Sequence, residues 1–483
     1  MVKADDTRQQ VIEHNARRNK MTIITMALFL VTLVAAIVLY LTESAVALAV
    51  AIVALIGTFA AAFHITESSK TESLLVLRST TPPSCEAIKA GLDAEHGERL
   101  YGADGNELDR DTDQCFTMSL DVNRLYTTLP LMVEIPEERY RFPESVLSYT
   151  PYLKTSRDRE LSKFAALRPD KVVMGLGSDI NMETFEDISK PIKMYTVSRS
   201  AVQVTDDAFS KIIINKLKIH DKVVFDGHSL CLDDEGRLIP FSQSGSANEV
   251  DIHSLMISND GYLMFRRGKQ SHPLFPNKVI SSAACSFLPE EVDVSRPVQE
   301  SMIESIHNKI HVLYDFPDTV DTKSSFVGYA RIIERGEAPE FYCITRVNLG
   351  KDELIACHED STAEFVDEAL TEMVPMLDSV DNAALYIARS ITALRESLPR
   401  DISLSTSALL LAVEDAFYDV RIAGKALRRI GLIEDEFADN PYRNDAPKKK
   451  DSDDREDDEE NDDDDATIAA NMATAVATTM ATI

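Results

Sequence analysis

The stretch Leu255-Met-Ile-Ser-Asn-Asp-Gly-Tyr-Leu-Met-Phe265 sets two apolar runs on either side of Asp260-Gly261. Asp-Gly between apolar runs is the strongest short hairpin signal, because glycine takes the positive φ of a tight turn. Arg266 and Arg267 follow at once, with Lys269 and Lys278 nearby. Arginine forks suit phosphate oxygens, so this basic cluster is a candidate anion contact; the plain alternative is surface charge at a strand end. An irregular segment runs from His272 to Ser286, and Pro297 to Ile310 then reads as a helix with proline suited to its first turn. Two strands are expected next, Ser325–Ile333 and Glu340–Val347, joined by a turn at Gly336. Beyond Thr362 the pattern becomes helical, over Ala363–Leu377, Asn382–Glu396 and Ser405–Arg421. On the N-terminal side, from Ser68 to Val250, the β-type runs Lys171–Met174, Met194–Val197 and Lys222–Phe225 alternate with helix-like runs such as Ala208–Lys218.

The expected helix after the hairpin is rich in carboxylates. Acids three and four apart share one helix face, and hard Mg²⁺ takes oxygen ligands. A hairpin, a loop, an acidic helix and further strands, over Asp251–Leu349, resemble the Nudix family. The family's box is a Gly, five residues, a Glu, seven residues, then Arg-Glu-U-x-Glu-Glu-x-Gly-U, where U is aliphatic. Here the Gly position is Cys285, the first Glu is Glu291, the Arg position is Gln299 and its neighbour is Glu300. The next pair is Ile303 and Glu304, and the late Gly is Ile306, followed by His307. The resemblance implies Glu291, Glu300 and Glu304 as metal-touching residues, with Glu304 catalytic if the domain is a hydrolase. Read from the residues themselves, Arg266, Arg267 and Lys269, together with Glu300, are the expected ligand-binding residues. The plain alternative for the glutamates is a solvated helix face. Three acids kept beside a lost Arg and a ligand replaced by Ile303 point to a binding pocket more than to an efficient hydrolase.

Far upstream lie two uncharged apolar segments, Met21–Leu41 and Ala45–Ile65, each of the ~20 residues that span a bilayer as helix. Lys3, Arg8, Arg17, Arg18 and Lys20 precede them, Lys70 and Arg78 follow, and the link carries only Glu43. Basic flanks stay on the cytoplasmic side, so both termini are expected there. Ala47, Ala51, Ala54, Thr58 and Ala62 form a small-residue face suited to close helix packing, within the hairpin or between copies. The expected class is thus a membrane-anchored α+β chain in the inner membrane. Its parts are a basic N-terminus (1–20), a transmembrane helical hairpin (21–66) and a mixed α/β extension (67–250). A cytoplasmic Nudix-like α/β/α core (251–360), C-terminal helices (361–440) and a disordered acidic tail (441–483) complete it.

The chain has 483 residues and a formal net charge of −30, which argues against coating nucleic acid. Much of that charge lies in Asp451–Asp465, a block that repels itself and cannot bury apolar surface. Cys85, Cys115, Cys231, Cys285, Cys343 and Cys357 make no Cys-x-x-Cys pair and read as reduced thiols. Gly175-Leu-Gly177 lacks the third glycine of a dinucleotide fingerprint, since position 180 is Ile, and no phosphate-binding loop is present. His307 is followed by Asn308 rather than Glu, so His307 and His311 do not form a zinc-protease motif. His228-Ser229 has no identifiable triad partners.

Two apolar spans fused to a degenerate Nudix-like domain resemble the two-transmembrane Nudix effectors of bacterial cyclic-oligonucleotide antiphage signalling systems (CBASS). The resemblance implies that the Nudix-like domain binds a cyclic nucleotide second messenger. The bound form then rearranges or forms a homo-oligomer, and the spans disrupt the lipid bilayer of the inner membrane in abortive infection. Two alternatives stay open: a membrane-anchored, Mg²⁺-dependent Nudix hydrolase of a nucleoside diphosphate derivative, and a scaffold whose domain binds a protein.

Overall fold

The computed structural model describes residues 75–137, 139–153, 171–187, 190–216, 221–268, 270, 276–357, 363–366, 380–397 and 401–432. The strands are β1 (Leu75–Ser79), β2 (Glu98–Gly102), β3 (Cys115–Ser119), β4 (Val133–Glu134), β5 (Val172–Leu176), β6 (Ile192–Ser198), β7 (Lys211–Lys216), β8 (Asp221–Asp226), β9 (Asp251–Ile257), β10 (Leu263–Arg267), β11 (Val279–Ile280), β12 (Ala283–Ser286), β13 (Thr322–Ile332), β14 (Ala338–Val347) and β15 (Ala363–Val366). The helices are α1 (Cys85–Ala90), α2 (Leu120–Thr128), α3 (Glu144–Leu153), α4 (Met182–Glu186), α5 (Arg199–Phe209), α6 (Val298–Tyr314), α7 (Lys351–Ala356), α8 (Val380–Ser397), α9 (Leu404–Tyr418) and α10 (Val420–Arg429).

The hairpin forms as its sequence requires. Gly261 takes φ 89°, and β9 and β10 pair antiparallel with Leu263 opposite Ile257. β9 then runs parallel to β14, which pairs antiparallel with β13, and β13 meets β3 and β2 at the far edge. Alternation on these strands divides the core in two, because successive side chains leave opposite faces. One face sends Ile252, Met256, Phe326, Phe341 and Val347 against α6. That helix meets them with Val298, Met302, Ile306, Ile310 and Tyr314, a stripe at strict four-residue spacing. The other face sends Leu255, Ile257, Tyr342 and Ile344 against Ile387, Ile391, Leu409, Val413 and Phe417 of α8 and α9. The result is a three-layer α/β/α sandwich. Two smaller sheets, ordered β1-β7-β8 and β4-β6-β5, flank it.

The expected membrane-anchored α+β class and the multi-pass inner-membrane localisation do not stand. What is displayed is mixed α/β, and no helix among the described residues is long and apolar enough to cross a membrane. The longest of them, α8, has 18 residues but carries Asp381, Arg389, Arg395 and Glu396. Met21–Leu41 and Ala45–Ile65, with Ala47, Ala51, Ala54, Thr58 and Ala62, lie outside the described residues, as does the acidic tail. Three element assignments also change. Within Ala208–Lys218, α5 stops at Phe209 and the isoleucine-rich Lys211–Lys216 is a strand. Ala363–Leu377 begins as strand β15, which pairs with β10. Ser405–Arg421 falls in two helices, because Asp419 ends α9 and accepts from the Arg421 and Ile422 amides as the cap of α10.

Candidate functional site

The start of α6 and the 3₁₀ turn before it, Pro289–Glu291, enclose a polar cavity of about 290 Å³. Glu290, Glu291, Asp293, Arg296, Glu304 and Ser305 line it, so two of the three box glutamates do meet there. Pro297 stands one residue before α6, as its N-cap, at φ −53°.

The carboxylates are already engaged by the chain itself. Arg296 donates from Nη1 to Glu304 Oε1 at 2.6 Å and from Nη2 to Glu304 Oε2, a two-pronged clamp, and its Nε lies 3.4 Å from Asp293. The clamp holds the Glu304 carboxyl below its usual range. Asp293 is held low chiefly by the Ser295 hydroxyl and amide, which donate to it at 2.6 and 3.0 Å. Glu291 Oε2 accepts from the Leu288 amide at 3.1 Å and from the Ser305 hydroxyl at 2.7 Å.

The positions where the box departs from its pattern have structural employment. Gln299, fully buried, accepts from the Leu131 amide at 3.0 Å and donates to the Leu129 carbonyl at 2.9 Å. It ties α6 to the segment after α2. Ile303 packs against the α6-side core. Cys285 lies 3.6 Å from the Ser305 hydroxyl, and burial pushes its thiol up to about 12. His307 shares a hydrogen bond of 2.8 Å with Ser324; burial, then His311, lowers it to about 4, so it is neutral at pH 7.

The basic cluster is elsewhere. Arg266 donates from Nε to the Ser281 carbonyl at 3.1 Å, beside Tyr314 at the far end of α6, and its burial disfavours the charged form. Ten residues separate Tyr314 from Glu304, roughly 15 Å along a helix axis. Arg267 donates to the Asn277 carbonyl at 2.9 Å, Glu300 does not line the cavity, and Lys269 lies outside the described residues. The residue that reading the box missed is Arg296. Its signal was available as Asp293-x-x-Arg296, an i,i+3 acid–base spacing entering the helix.

The donor set for Mg²⁺ is reduced relative to the Nudix box: a hard divalent ion takes several oxygens, Ile303 offers none, and both oxygens of Glu304 meet Arg296.

A second charged cluster was not foreseen at all. Arg335, in the turn before β14, reaches Asp251 at 2.7 Å, Glu340 at 3.1 Å, Asp206 at 3.4 Å and Glu249 at 3.6 Å. Arg199 meets Glu249 at 3.0 Å, and Tyr342 and Ser405 donate to Glu340. Asp251, His253 and Glu340 have the grouping of a metal site, but Arg335 already bridges the two carboxylates. Burial, reinforced by Glu249 and Asp251 and opposed by Arg335, pushes Asp206 up to about 7.

No family model matches the chain, and no curated protein matches it. Among solved structures, the crystal structure of DR0079 from Deinococcus radiodurans matches with 9% identity over 35% of this chain and 98% of that one, at a TM-score of 0.18.

Proposed function

We propose that the α/β sandwich is a ligand-binding sensor that does not hydrolyse what it binds. The observation that carries this reading is the Arg296 clamp on Glu304. A guanidinium stands on the carboxylate that a hydrolase would give to a metal ion, so a metal would have to displace Arg296 first. The ligand class comes from the resemblance: a phosphorylated nucleotide, and specifically the cyclic nucleotide second messenger of antiphage signalling. Arg266 and Arg267, at the end of β10, are the residues that would meet its phosphates. A cavity bearing four carboxylates and one guanidinium repels phosphate, so the two regions have separate roles.

Calorimetric titration of the full chain with cyclic dinucleotides tests the binding half. Saturable binding is expected, about tenfold weaker in Arg267→Ala if one charge-assisted contact is lost. Arg267 is the better target, because Arg266 is mostly buried and also supports the Ser281 carbonyl. Absence of binding, or equal affinity in Arg267→Ala and the parent, counts against this docking site.

A further inference from the structure

α5 and the flanking sheet β1-β7-β8 share an apolar core that includes Ala201, Val202 and Ala208 of α5, Ile213 of β7 and Phe225 of β8. None of these residues belongs to the two cores that cover the faces of the central sheet. Phe209, the last residue of α5, clusters with Ile333 at the edge of the sandwich. Beside that contact the junction is polar. Arg199 meets Glu249 at 3.0 Å and donates to Ser286, and Asp206 accepts from Arg335 Nε at 3.4 Å.

The charges at this junction do not balance. Asp206 and Arg199 come from α5, Glu249 and Asp251 from the start of β9, Glu340 from β14, and Arg335 from the turn Ile333–Arg335. Four carboxylates thus face two guanidinium groups. Fully ionised, the cluster has two negative charges without a counter-charge, in a place where Glu249 and Glu340 are 2% and 0% exposed. Unpaired buried charge is costly, so such a cluster keeps a proton. Asp206 is the carboxylate placed to release it. It is the most exposed of the four, at 24%, and it meets Arg335 at Nε, while Nη1 already serves Asp251 and Glu340. Burial pushes its carboxyl up to about 7. Two neighbours on the flank leave this balance unchanged. Burial keeps the Tyr140 phenol protonated, and it lowers His228, in the turn packed on α5, so that both are neutral at pH 7 and above.

We infer that Asp206 and Arg335 form a proton-controlled latch: protonated Asp206 holds α5 and the sheet it packs on against the sandwich, and its ionisation releases that flank while the sandwich stays folded. The physical cause is local. A released proton adds a fourth negative charge around guanidinium groups that three other carboxylates already occupy, and opening α5 moves that charge into water. Local opening of one unit ahead of the whole is ordinary in folded chains. The latch stands apart from the α6 cavity and from any ligand bound at β10.

Hydrogen–deuterium exchange of the full chain at pH 6, 8 and 9, with each rate divided by the intrinsic rate at that pH, tests this. Peptides from α5 and β7 should lose protection about tenfold between pH 6 and 8, and no more between pH 8 and 9, where Asp206 is ionised in both the closed and the open state. Peptides from α6 and β14 should keep theirs. In Asp206→Asn the α5 and β7 peptides should exchange alike at all three pH values. Equal loss across all four elements, unchanged protection in α5, or protection that goes on falling from pH 8 to 9 overturns the latch, and the parent chain alone shows each of these if the variant does not fold. A pH response that survives in folded Asp206→Asn overturns it as well.

Discussion

Arg296 and Glu304 make the shortest route from a residue to the functional reading, yet their contact adds little to stability. The Glu304 side chain is 58% exposed, and ion pairs that solvent reaches are worth about 0–1 kcal/mol. Glu304→Gln is therefore expected to shift the unfolding free energy by less than about 1 kcal/mol in urea titrations; a larger loss would make the clamp structural. Asp206 is the opposite case. Its carboxyl titrates near 7 in the fold and near 3.8 in the open chain, so the unfolded state loses its proton first as pH rises. The stability that protonated Asp206 contributes is full below pH 3.8 and is lost as pH climbs through 7. Asn mimics the protonated acid at every pH. Asp206→Asn and the parent should have similar stability below pH 3.8, the variant's lead should grow between pH 4 and 7, and it should reach about 1–2 kcal/mol at pH 8, since a quarter of the side chain still meets solvent. Thermal melts across that range check it; a parent that gains on the variant as pH rises would reverse the sign and refute the assignment.

At the scale of elements, α6 is fixed to its neighbours by Gln299 as much as by its apolar stripe. Gln299→Leu leaves the Leu131 amide and the Leu129 carbonyl buried without partners, a loss of about 2–4 kcal/mol in equilibrium unfolding. Gln299→Arg, which puts the arginine of the Nudix box at this position, should also destabilise, because arginine cannot accept from Leu131 and brings a charge into a closed space. A stable Gln299→Arg chain would contradict this account of the tie. The hairpin and α6 were legible in the sequence because local signals agree with the fold: Asp260-Gly261 makes the turn, and positions 298, 302, 306, 310 and 314 make the stripe. Lys211–Lys216 was misread because its apolar run continues that of α5; three consecutive isoleucines favour a strand once β1 and β8 flank it. Ala363–Val366 is a strand only because β10 offers an edge, a tertiary fact. The α6 cavity was half legible. Box spacing located Glu291 and Glu304, but the partner that occupies Glu304 sits outside the box's fixed positions. The Arg335 cluster joins residues from 206 to 340, and no local pattern announces it.

For the whole molecule, the sandwich places the acidic cavity along the first three turns of α6 and Arg266 beside its last residue, so the two regions can be varied separately. The account's central claim is binding without turnover. It is tested most directly by incubating the full chain with Mg²⁺ and either a cyclic dinucleotide or a nucleoside diphosphate sugar, resolving products by anion-exchange chromatography, with calorimetry on the same sample. The prediction is a saturable heat for the cyclic dinucleotide that chelating Mg²⁺ leaves unchanged, and no product from either compound. Mg²⁺-dependent product that disappears in Glu304→Gln would contradict it.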